Sequence, residues 1–396
     1  MKILFVGFVD LARPGGATTH VLELIAALRG LGHEVTLVAN ASNPVDDLKG
    51  FRSIGSYLDA GNQASVLISL CLSLLRGLAT VLVAARHVDL IYVRDYLGGA
   101  VSWPAAHLFR KPVVYEINGI ASDERRAYGE VFFARLYIRY IDWAEGVTVR
   151  LANRFVAVTD QLEEYLINRY HVTPLLVAVI TNGVNTDMFR PLPEASLNPL
   201  REELRLDESS SVIVFAGTLN AWQGVSTLIN AISYVVEIFP QAHFLIVGDG
   251  PLAGELHELV ERLNIKANVT FVGRVPHASI PLYINVADIC AAPFTENRNS
   301  HCGVSPVKIY EYMACGKPIL ATRIPGLEFL ETAGIGRLAE PGDSISIAEV
   351  LVEMLKDDEF RRRASEKATR LAAERHSWEA VAGQVDKICL ETVTLK

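Results

Sequence analysis

The 396-residue sequence has few cysteines, and none of them are arranged in pairs. Five cysteines without a CxxC motif indicate neither a disulfide framework nor a zinc site, so we expect free buried thiols in a reducing compartment. His301, Cys302 and Cys315 come closest to a ligand cluster, but their spacing matches no zinc pattern. We therefore predict that the protein needs no metal.

The sequence also lacks an excess of basic residues and a long uninterrupted apolar run. The chain carries 37 Lys+Arg against 45 Asp+Glu, a balance that argues against a nucleic-acid-binding protein. The first apolar run is followed at once by Asp10 and Arg13, so no signal peptide is predicted. The longest apolar stretch, 64–85, contains Arg76, which is costly inside an isolated membrane span. We interpret this stretch as a buried helix and expect a cytoplasmic protein.

Short apolar runs alternate with helical patterns along the chain. KILFVGF (2–8), an apolar-periodic helix from about 18 to 28 and HEVTLVAN (33–40) form a βαβ unit, which implies a parallel sheet. The rhythm continues to residue 180 and restarts at residue 211, after an Asn-, Pro- and Gly-rich segment near 182–200 that we predict to be a linker. The sequence thus predicts two Rossmann-like α/β domains, whose ligands bind beyond the carboxyl ends of the strands.

Three loops at those strand ends have compositions suited to a phosphate-bearing ligand. Gly15 and Gly16 precede the first helix, although no GxGxxG fingerprint is present. The segment 217–224 holds the matching position in the second domain. The segment 295–320 starts a helix at Ser305-Pro306, in which Lys308 and Glu311 are three residues apart and share a face. Taken singly, these loops are equally compatible with structural turns and a surface ion pair.

The order and spacing of five segments resemble a known family, the retaining glycosyltransferases of the "glycosyl transferases group 1" type. The segments are GGATTHVLELIAALRGLGHEVTLV (15–38), TNGVNTDMFRP (181–191), AGTLNAWQGVSTLINAI (216–232), LIVGDGP (245–251) and SPVKIYEYMACGKPILAT (305–322). The resemblance implies a GT-B fold, in which two Rossmann-like domains face each other across a cleft and the last helix crosses back to the first domain. It implies an acceptor-side domain of residues 1–185 plus about 377–396, and a nucleotide-sugar-binding domain of residues 186–376.

The resemblance also implies roles for individual residues. Glu311 corresponds to the glutamate that binds the ribose hydroxyls, and Arg274 approaches the nucleotide through its backbone. The donor-binding set is Gly15, Gly16, Thr218, Gln223, Gly248, Arg274, Val304, Ser305, Val307, Lys308 and Glu311. The acceptor side is assigned to Glu116 and Asn118, and the residues expected to take part in catalysis are Asn118 and Lys308.

Five positions depart from the family pattern. Gly303 replaces the first glutamate of the Glu-x7-Glu motif, and Asn118 replaces a frequent histidine. The arginine and lysine that usually clamp the diphosphate in the second loop align with Thr218 and Gln223, and Pro306 lacks an N–H group. Lys308 is a candidate replacement for the missing cations.

The predicted activity is transfer of a hexose from a nucleoside diphosphate sugar to a glycan, glycolipid or other hydroxyl acceptor, with retention at the anomeric carbon. A UDP-sugar is favoured over a GDP-sugar, and no cofactor beyond this donor substrate is expected. Two alternatives stay open, a nucleotide-sugar 2-epimerase-like isomerase and a non-catalytic nucleotide-sugar-binding protein. An acceptor-dependent product distinguishes transfer from both.

A basic and aromatic stretch in the first domain leaves a second question open. Four arginines interleave with apolar and aromatic residues between positions 125 and 140. Such a stretch fits either a domain helix with a solvated arginine face or a surface that lies on an anionic membrane. Peripheral association with the inner face of the plasma membrane is the second of these expectations.

Overall fold

The computed structural model describes residues 1–12, 15–40, 50–53, 63–120, 134–207 and 209–394, with side chains given outside 63–71, 134–137 and 297–298. The chain divides into two compact units. Unit 1 comprises Met1–Thr181 and Trp378–Lys396, and unit 2 comprises Asn182–Ser377. Each unit is a parallel sheet flanked by helices, as the alternating pattern predicts.

Unit 1 is built on a seven-stranded parallel sheet with strand order β3-β2-β1-β4-β5-β6-β7. Its strands are β1 (Lys2–Asp10), β2 (Glu34–Asn40), β3 (Phe51–Ser53), β4 (Leu90–Val93), β5 (Val113–Ile117), β6 (Arg154–Ala157) and β7 (Val177–Val179). Its helices are α1 (Gly16–Gly30), α2 (Gln63–Ala84), α3 (Tyr96–Leu108), α4 (Ala134–Leu151), α5 (Asp160–Tyr170) and, from the end of the chain, α15 (Trp378–Thr394).

The C-terminal helix α15 completes one face of this sheet. Because side chains alternate between the two faces of a strand, Phe5 and Tyr92 point to the same side, where they join a core with α1 and α15. The buried side chains that α15 contributes to this core are Trp378, Val381, Ala382, Val385 and Cys389. The same helix is also held by polar contacts, since His33 lies 2.8 Å from Asp386 and 3.2 Å from the amino group of Met1. Unit 1 is therefore formed by the two ends of the chain.

Unit 2 is built on a six-stranded parallel sheet with strand order β10-β9-β8-β11-β12-β13. Its strands are β8 (Ser211–Ala216), β9 (Ala242–Val247), β10 (Val269–Gly273), β11 (Ile289–Ala292), β12 (Ile319–Thr322) and β13 (Gly336–Ala339). Its helices are α6 (Asn198–Glu203), α7 (Val225–Ile238), α8 (Ala253–Arg262), α9 (Ile280–Asn285), α10 (Asn297–Cys302), α11 (Val307–Ala314), α12 (Phe329–Thr332), α13 (Ser344–Lys356) and α14 (Asp358–Arg375).

The segment that the composition predicts to be a linker is packed into unit 2. Phe189 is 1 % exposed and belongs to the same core as Tyr310 and Met313 of α11. The backbone of Val184 donates to the carbonyl of His376 at 2.7 Å, so the segments that enter and leave unit 2 lie side by side. Several polar residues of the segment 182–200 lie in turns, and its few apolar side chains pack into the core of unit 2.

Two expectations need correction. The strands β3 and β13 are absent from the sequence-based prediction, since their sequences, FRS and GRLA, contain no apolar run longer than two residues. The helix predicted to be buried, α2, is partly exposed over its described side chains 72–84, because Leu72, Leu75 and Val83 are 44 %, 64 % and 58 % exposed. No helix of the described chain has the length and apolarity needed to cross a membrane.

The prediction of buried cysteines without disulfides is confirmed for the side chains that the structure describes. Cys290, Cys302, Cys315 and Cys389 are buried and form no disulfide bond. Burial raises the pKa of the Cys315 and Cys389 thiols to about 12, which disfavours the reactive thiolate. These cysteines therefore serve as small apolar core residues.

We predict that unit 1 depends on Trp378. Trp378→Ala removes a side chain that is 2 % exposed and should cost about 3–5 kcal/mol of unfolding free energy through lost burial and a residual cavity. Trp378→Phe should cost less, because the indole Nε1 makes no hydrogen bond within the described chain. Urea denaturation followed by circular dichroism measures both effects.

Leu390→Ala is the matched control for this prediction, because Leu390 lies on the same helix but is 48 % exposed. An equal loss of stability in Trp378→Ala and Leu390→Ala would contradict the assignment of α15 to the core of unit 1.

Candidate active site

Close backbone packing creates the candidate site at the carboxyl edge of the unit 2 sheet. The Gly217 N–H donates to the Val247 carbonyl at 2.9 Å, and the Gly248 N–H donates to the Gly273 carbonyl at 2.8 Å. A Cβ atom on Gly248, which has φ +133°, would lie 1.9 Å from the Gly217 carbonyl oxygen. Only glycine fits there, so the loops after β8, β9 and β10 meet with their backbones exposed to a ligand. Thr218 and Arg274, both exposed, directly follow Gly217 and Gly273.

The second loop is fixed by the segment that follows β11. The carbonyl oxygen of Trp222 accepts hydrogen bonds from the Thr295 N–H at 3.2 Å and from Asn299 Nδ2 at 3.1 Å. Gly224, with φ +70°, packs so closely that a Cβ atom would lie 1.7 Å from the carbonyl oxygen of Pro293. These contacts fix the position of Gln223, which lies between Trp222 and Gly224.

Lys308 reaches this loop from the first turn of α11. Its Nζ donates to Gln223 Oε1 at 2.8 Å and lies 4.0 Å from the centre of the Phe215 ring. A Cβ atom on Gly217 would lie 2.4 Å from the same Nζ, so the glycine leaves the space that the amine occupies. Glutamine holds the amine without neutralising it, and no carboxylate forms an ion pair with Lys308 within the described chain.

This surrounding lowers the pKa of Lys308 to about 7. Desolvation among aromatic rings and backbone is the dominant cause, and the nearby charge of Glu311 only partly opposes it. An anionic ligand at this position would favour the charged amine.

The start of α11 is fixed by hydrogen bonds from Ser305. Its Oγ accepts from the Asn182 N–H at 2.9 Å and lies 2.9 Å from the Tyr310 hydroxyl. Its carbonyl oxygen accepts from Asn182 Nδ2 at 2.5 Å. The predicted residues Val304 and Val307 flank this turn and are partly buried. Pro306 precedes the helix, where its missing N–H leaves no intrahelical bond unmade.

Glu311 lies one turn further along α11 and makes a contact that the sequence did not predict. Its side chain is 10 % exposed, and its Oε1 lies 3.0 Å from Nε2 of His277. His277 begins the short turn His277–Ser279 after β10, and its ring centre lies 5.4 Å from that of Phe189. The one sequence feature that could have pointed to His277 is its position in the VPHAS segment, three residues after the predicted donor-site residue Arg274.

The first-glutamate position of the family motif is occupied by a turn glycine. Gly303 follows α10 with φ +63°, a conformation that a glutamate side chain would strain. Glycine at position 303 therefore fits the backbone conformation of this turn better than the family's glutamate would.

The predicted acceptor residues lie in unit 1, where β5 ends. Asn118 Nδ2 donates to Glu116 Oε1 at 2.6 Å, and Tyr92 donates to Glu116 Oε2 at 2.5 Å. His20 lies 2.8 Å from Glu116 Oε1 and packs edge-on against Trp378. Glu116 is only 1 % exposed, whereas Asn118 is partly exposed. Glu116 thus holds Asn118 and is itself covered by its neighbours.

The charge state of Glu116 is set by the same neighbours. Burial alone would raise its pKa, but the charge and hydrogen bond of His20, the charge of Arg94 and the Tyr92 hydroxyl together lower the pKa to about 2. The carboxylate is therefore ionised at neutral pH. Gly15 and Gly16 lie at the start of α1, the helix that also carries His20, and both are exposed.

The sequence-based assignments therefore fall into two groups. The unit 2 group comes together around Lys308, Gln223, Gly248 and Glu311, and the unit 1 group lies around Asn118 and the start of α1. No group of His, Cys, Asp and Glu residues in the described ranges is arranged to hold a metal ion, and this includes His301, Cys302 and Cys315.

Comparison with protein families identifies the functional class of the protein. The family described as glycosyl transferases group 1 matches residues 198–371, and glycosyltransferase family 4 matches residues 14–188. The chain belongs to the group 1 glycosyltransferases. It is a transferase, and the two matches follow the division into units 2 and 1.

Individual relatives of this glycosyltransferase agree with the family assignment. A D-inositol 3-phosphate glycosyltransferase of Corynebacterium jeikeium is 28 % identical over 308 residues, covering 76 % of this chain and 71 % of the relative. A protein of the same name from Xylanimonas cellulosilytica is 27 % identical over 392 residues, covering 94 % and 91 %. The fold matches that of Anabaena HepE in complex with UDP, with TM-score 0.78, 23 % identity and coverage of 99 % of this chain and 100 % of HepE. The predicted GT-B fold is confirmed.

We predict that Lys308 lowers stability in the absence of ligand. Lys308→Met should raise the unfolding free energy by about 2 kcal/mol at pH 7, once solvent screening of this partly exposed group is allowed for. The folded-state pKa near 7 lies below the unfolded value of 10.5, so unfolding takes up a proton between these pH values. The stability of the unaltered protein should therefore rise relative to that of Lys308→Met as the pH increases from 7 to 10.5.

Urea denaturation of the two proteins at pH 7, 8.5 and 10 measures this difference. Lys266→Met is the control, because Lys266 is exposed and paired with Glu261. A difference between Lys308→Met and the unaltered protein that stays constant with pH would contradict the prediction.

Proposed function

We propose that this glycosyltransferase moves a hexosyl group from a UDP-sugar to a hydroxyl of a glycan, glycolipid or other acceptor, with retention at the anomeric carbon. The observation that carries the proposal is the contact between Lys308 and Gln223 above the Gly217–Gly248 backbone, one helical turn from Glu311. This arrangement offers a cation for a diphosphate and a carboxylate for a ribose on one helix. HepE, which shares the fold, has been crystallised with UDP and with UDP-glucose.

The positive charge that the family places in the second loop comes here from α11. Gln223 occupies the position of the missing lysine, and the Lys308 amine lies 2.8 Å from its side-chain oxygen. This contact supports the proposal that Lys308 supplies the charge that the second loop lacks. A charge that stabilises the developing diphosphate anion acts through its position, so this relocation can preserve the function.

The proposed reaction needs no protein nucleophile. The bond between the anomeric carbon and the diphosphate oxygen breaks, and a bond to the acceptor oxygen forms on the same face of the sugar. The acceptor proton passes to the departing diphosphate oxygen. Lys308 stabilises the charge on this leaving group, and Glu311 accepts hydrogen bonds from the ribose hydroxyls.

On the acceptor side, the proposed contact is the side chain of Asn118. Its Nδ2 is engaged by Glu116, so its amide oxygen is oriented for an acceptor hydroxyl. Glu116 contributes by fixing this orientation, since it is almost fully buried. Gly15 and Gly16 would present backbone N–H groups at the start of α1.

A charge transplant tests the donor site. We expect UDP to raise the melting temperature of the unaltered protein more than GDP or ADP does, and Lys308→Gln to lose at least tenfold in UDP affinity. The double variant Gln223→Lys/Lys308→Gln should recover part of that affinity, because it returns the charge to the loop. Thermal shift and calorimetric titration measure these effects.

Lys317→Gln is the control for the transplant, because Lys317 is a partly buried lysine of unit 2 whose Nζ donates to the Asn285 carbonyl, away from this loop. If UDP binds equally well to the unaltered protein and to Lys308→Gln, then the proposed diphosphate site is wrong. An acceptor-free epimerisation of UDP-glucose would favour the isomerase alternative.

We also propose that unit 1 associates with an anionic membrane. The helices α2, α3 and α4 contact one another in sequence and expose large apolar side chains. These are Leu72, Leu75 and Val83 on α2, Trp103 and Leu108 on α3, and Trp143 on α4, all at least 44 % exposed. We call this set the apolar face. Of the stretch 125–140 that prompted the membrane hypothesis, the side chains of residues 125–137 lie outside the described set.

The exposed charged side chains described on α2, α3 and α4 are all basic. Arg76, Arg139 and Arg150 are exposed on α2 and α4, whereas Asp142, next to Trp143 in the sequence, is partly buried. Tryptophan and leucine insert at the level of the lipid headgroups, and arginine attracts anionic lipids at about 1 kcal/mol per residue. The combination fits an anionic bilayer better than a neutral one.

Vesicle sedimentation tests the membrane proposal. The protein should bind vesicles of phosphatidylcholine with 30 mol % phosphatidylglycerol, should bind pure phosphatidylcholine at least fivefold more weakly, and should lose binding in Leu75→Glu/Trp143→Glu. Ile238→Glu/Ile345→Glu is the control, since both residues are exposed apolar side chains of unit 2. Equal binding by the two double variants would contradict a role for the apolar face.

A further inference from the structure

His277 contacts the carboxylate of Glu311 through its imidazole ring. Its Nε2 lies 3.0 Å from Glu311 Oε1, and its side chain is 41 % exposed while that of Glu311 is 10 % exposed. The imidazole ring rests against Phe189, which is 1 % exposed and therefore fixed in the core of unit 2. The orientation of the imidazole is thus determined by a rigid neighbour on one side and a carboxylate on the other.

The contact occupies only one oxygen of the carboxylate. Within the described ranges, His277 is the one hydrogen-bond partner of the Glu311 side chain, so Oε2 retains its full accepting capacity. A carboxylate with one oxygen held and the other open cannot rotate freely about its last torsion. Because the carboxylate is already restrained, less conformational entropy is lost when a ligand hydroxyl binds to it.

We propose that His277 is a positioning residue of the donor site, which holds Glu311 so that its second oxygen accepts hydrogen bonds from the two ribose hydroxyls of a nucleoside diphosphate. The inference rests on the proposed function, and it assigns a role to a residue outside the sequence-based set. His277 acts through Glu311 and makes the site selective for a ribose that carries both hydroxyls.

The competing explanation is a surface ion pair that serves stability alone. The contribution of such a pair to stability does not depend on which nucleotide binds nearby. A positioning residue differs in one measurable respect, because its loss weakens only those ligands that carry the hydroxyls in question.

The experiment compares UDP with 2′,3′-dideoxy-UDP by calorimetric titration of the full-length protein. We expect His277→Ala to weaken UDP about tenfold, because the hydrogen bond at stake is to a charged group. The same variant should weaken 2′,3′-dideoxy-UDP less than twofold, since that ligand lacks both hydroxyls. His277→Gln, whose amide can donate to Glu311 Oε1, should restore UDP affinity to within about threefold of the unaltered protein.

His257→Ala is the matched control. His257 is also an exposed histidine of unit 2 whose ring packs on a phenylalanine, with 3.9 Å between the centres of its ring and that of Phe271. It should leave both affinities unchanged. Equal losses for the two nucleotides in His277→Ala, or no loss for UDP, would overturn the inference while leaving UDP binding by the unaltered protein intact. Absence of UDP binding by the unaltered protein would instead reject the proposed function.

Discussion

The candidate donor site depends on backbone packing that only glycine permits. At Gly217, Gly224 and Gly248 a Cβ atom would approach other atoms to 2.4 Å or less. Two of these contacts bring loop backbones together at the carboxyl edge of the unit 2 sheet, and the third leaves room for the Lys308 amine. A parallel sheet directs its loops to one edge, but the absence of three side chains decides how closely those loops meet.

Function and stability make opposing demands on Lys308. The amine is placed among Phe215, Phe294 and Gln223, where its charge is poorly solvated and its pKa falls to about 7. A methionine would suit these neighbours better in the absence of ligand. Under the proposed function, the diphosphate supplies the negative charge that Lys308 lacks in the free protein. A preorganised site often lowers the stability of its fold in this way.

Much of the fold follows from the spacing of apolar runs, whereas the site follows from contacts between distant residues. The βαβ rhythm predicts both sheets, but β3 (FRS) and β13 (GRLA) have too few consecutive apolar residues to produce a pattern. The resemblance to the family places Glu311 and Lys308, yet the Lys308–Gln223 contact joins residues 85 positions apart and has no signature in the sequence. His277 was not predicted, because its contact with Glu311 at 3.0 Å joins two distant parts of the chain. A histidine in a short turn carries no functional signal by itself. The burial of Glu116 was equally invisible, since it arises from His20 and Tyr92 on other elements.

The discontinuity of unit 1 has a consequence for the order in which a newly made chain can fold. Unit 2 is complete once Ser377 has left the ribosome, because all of its residues lie between 182 and 377. Unit 1 begins to emerge first, but its α1-side core stays open to solvent until Trp378 and the rest of α15 have been synthesised. During that interval the nascent chain exposes an apolar surface that is normally covered, and such surfaces are where aggregation begins and chaperones act. Folding of unit 1 thus depends on α15, which is synthesised after all of unit 2.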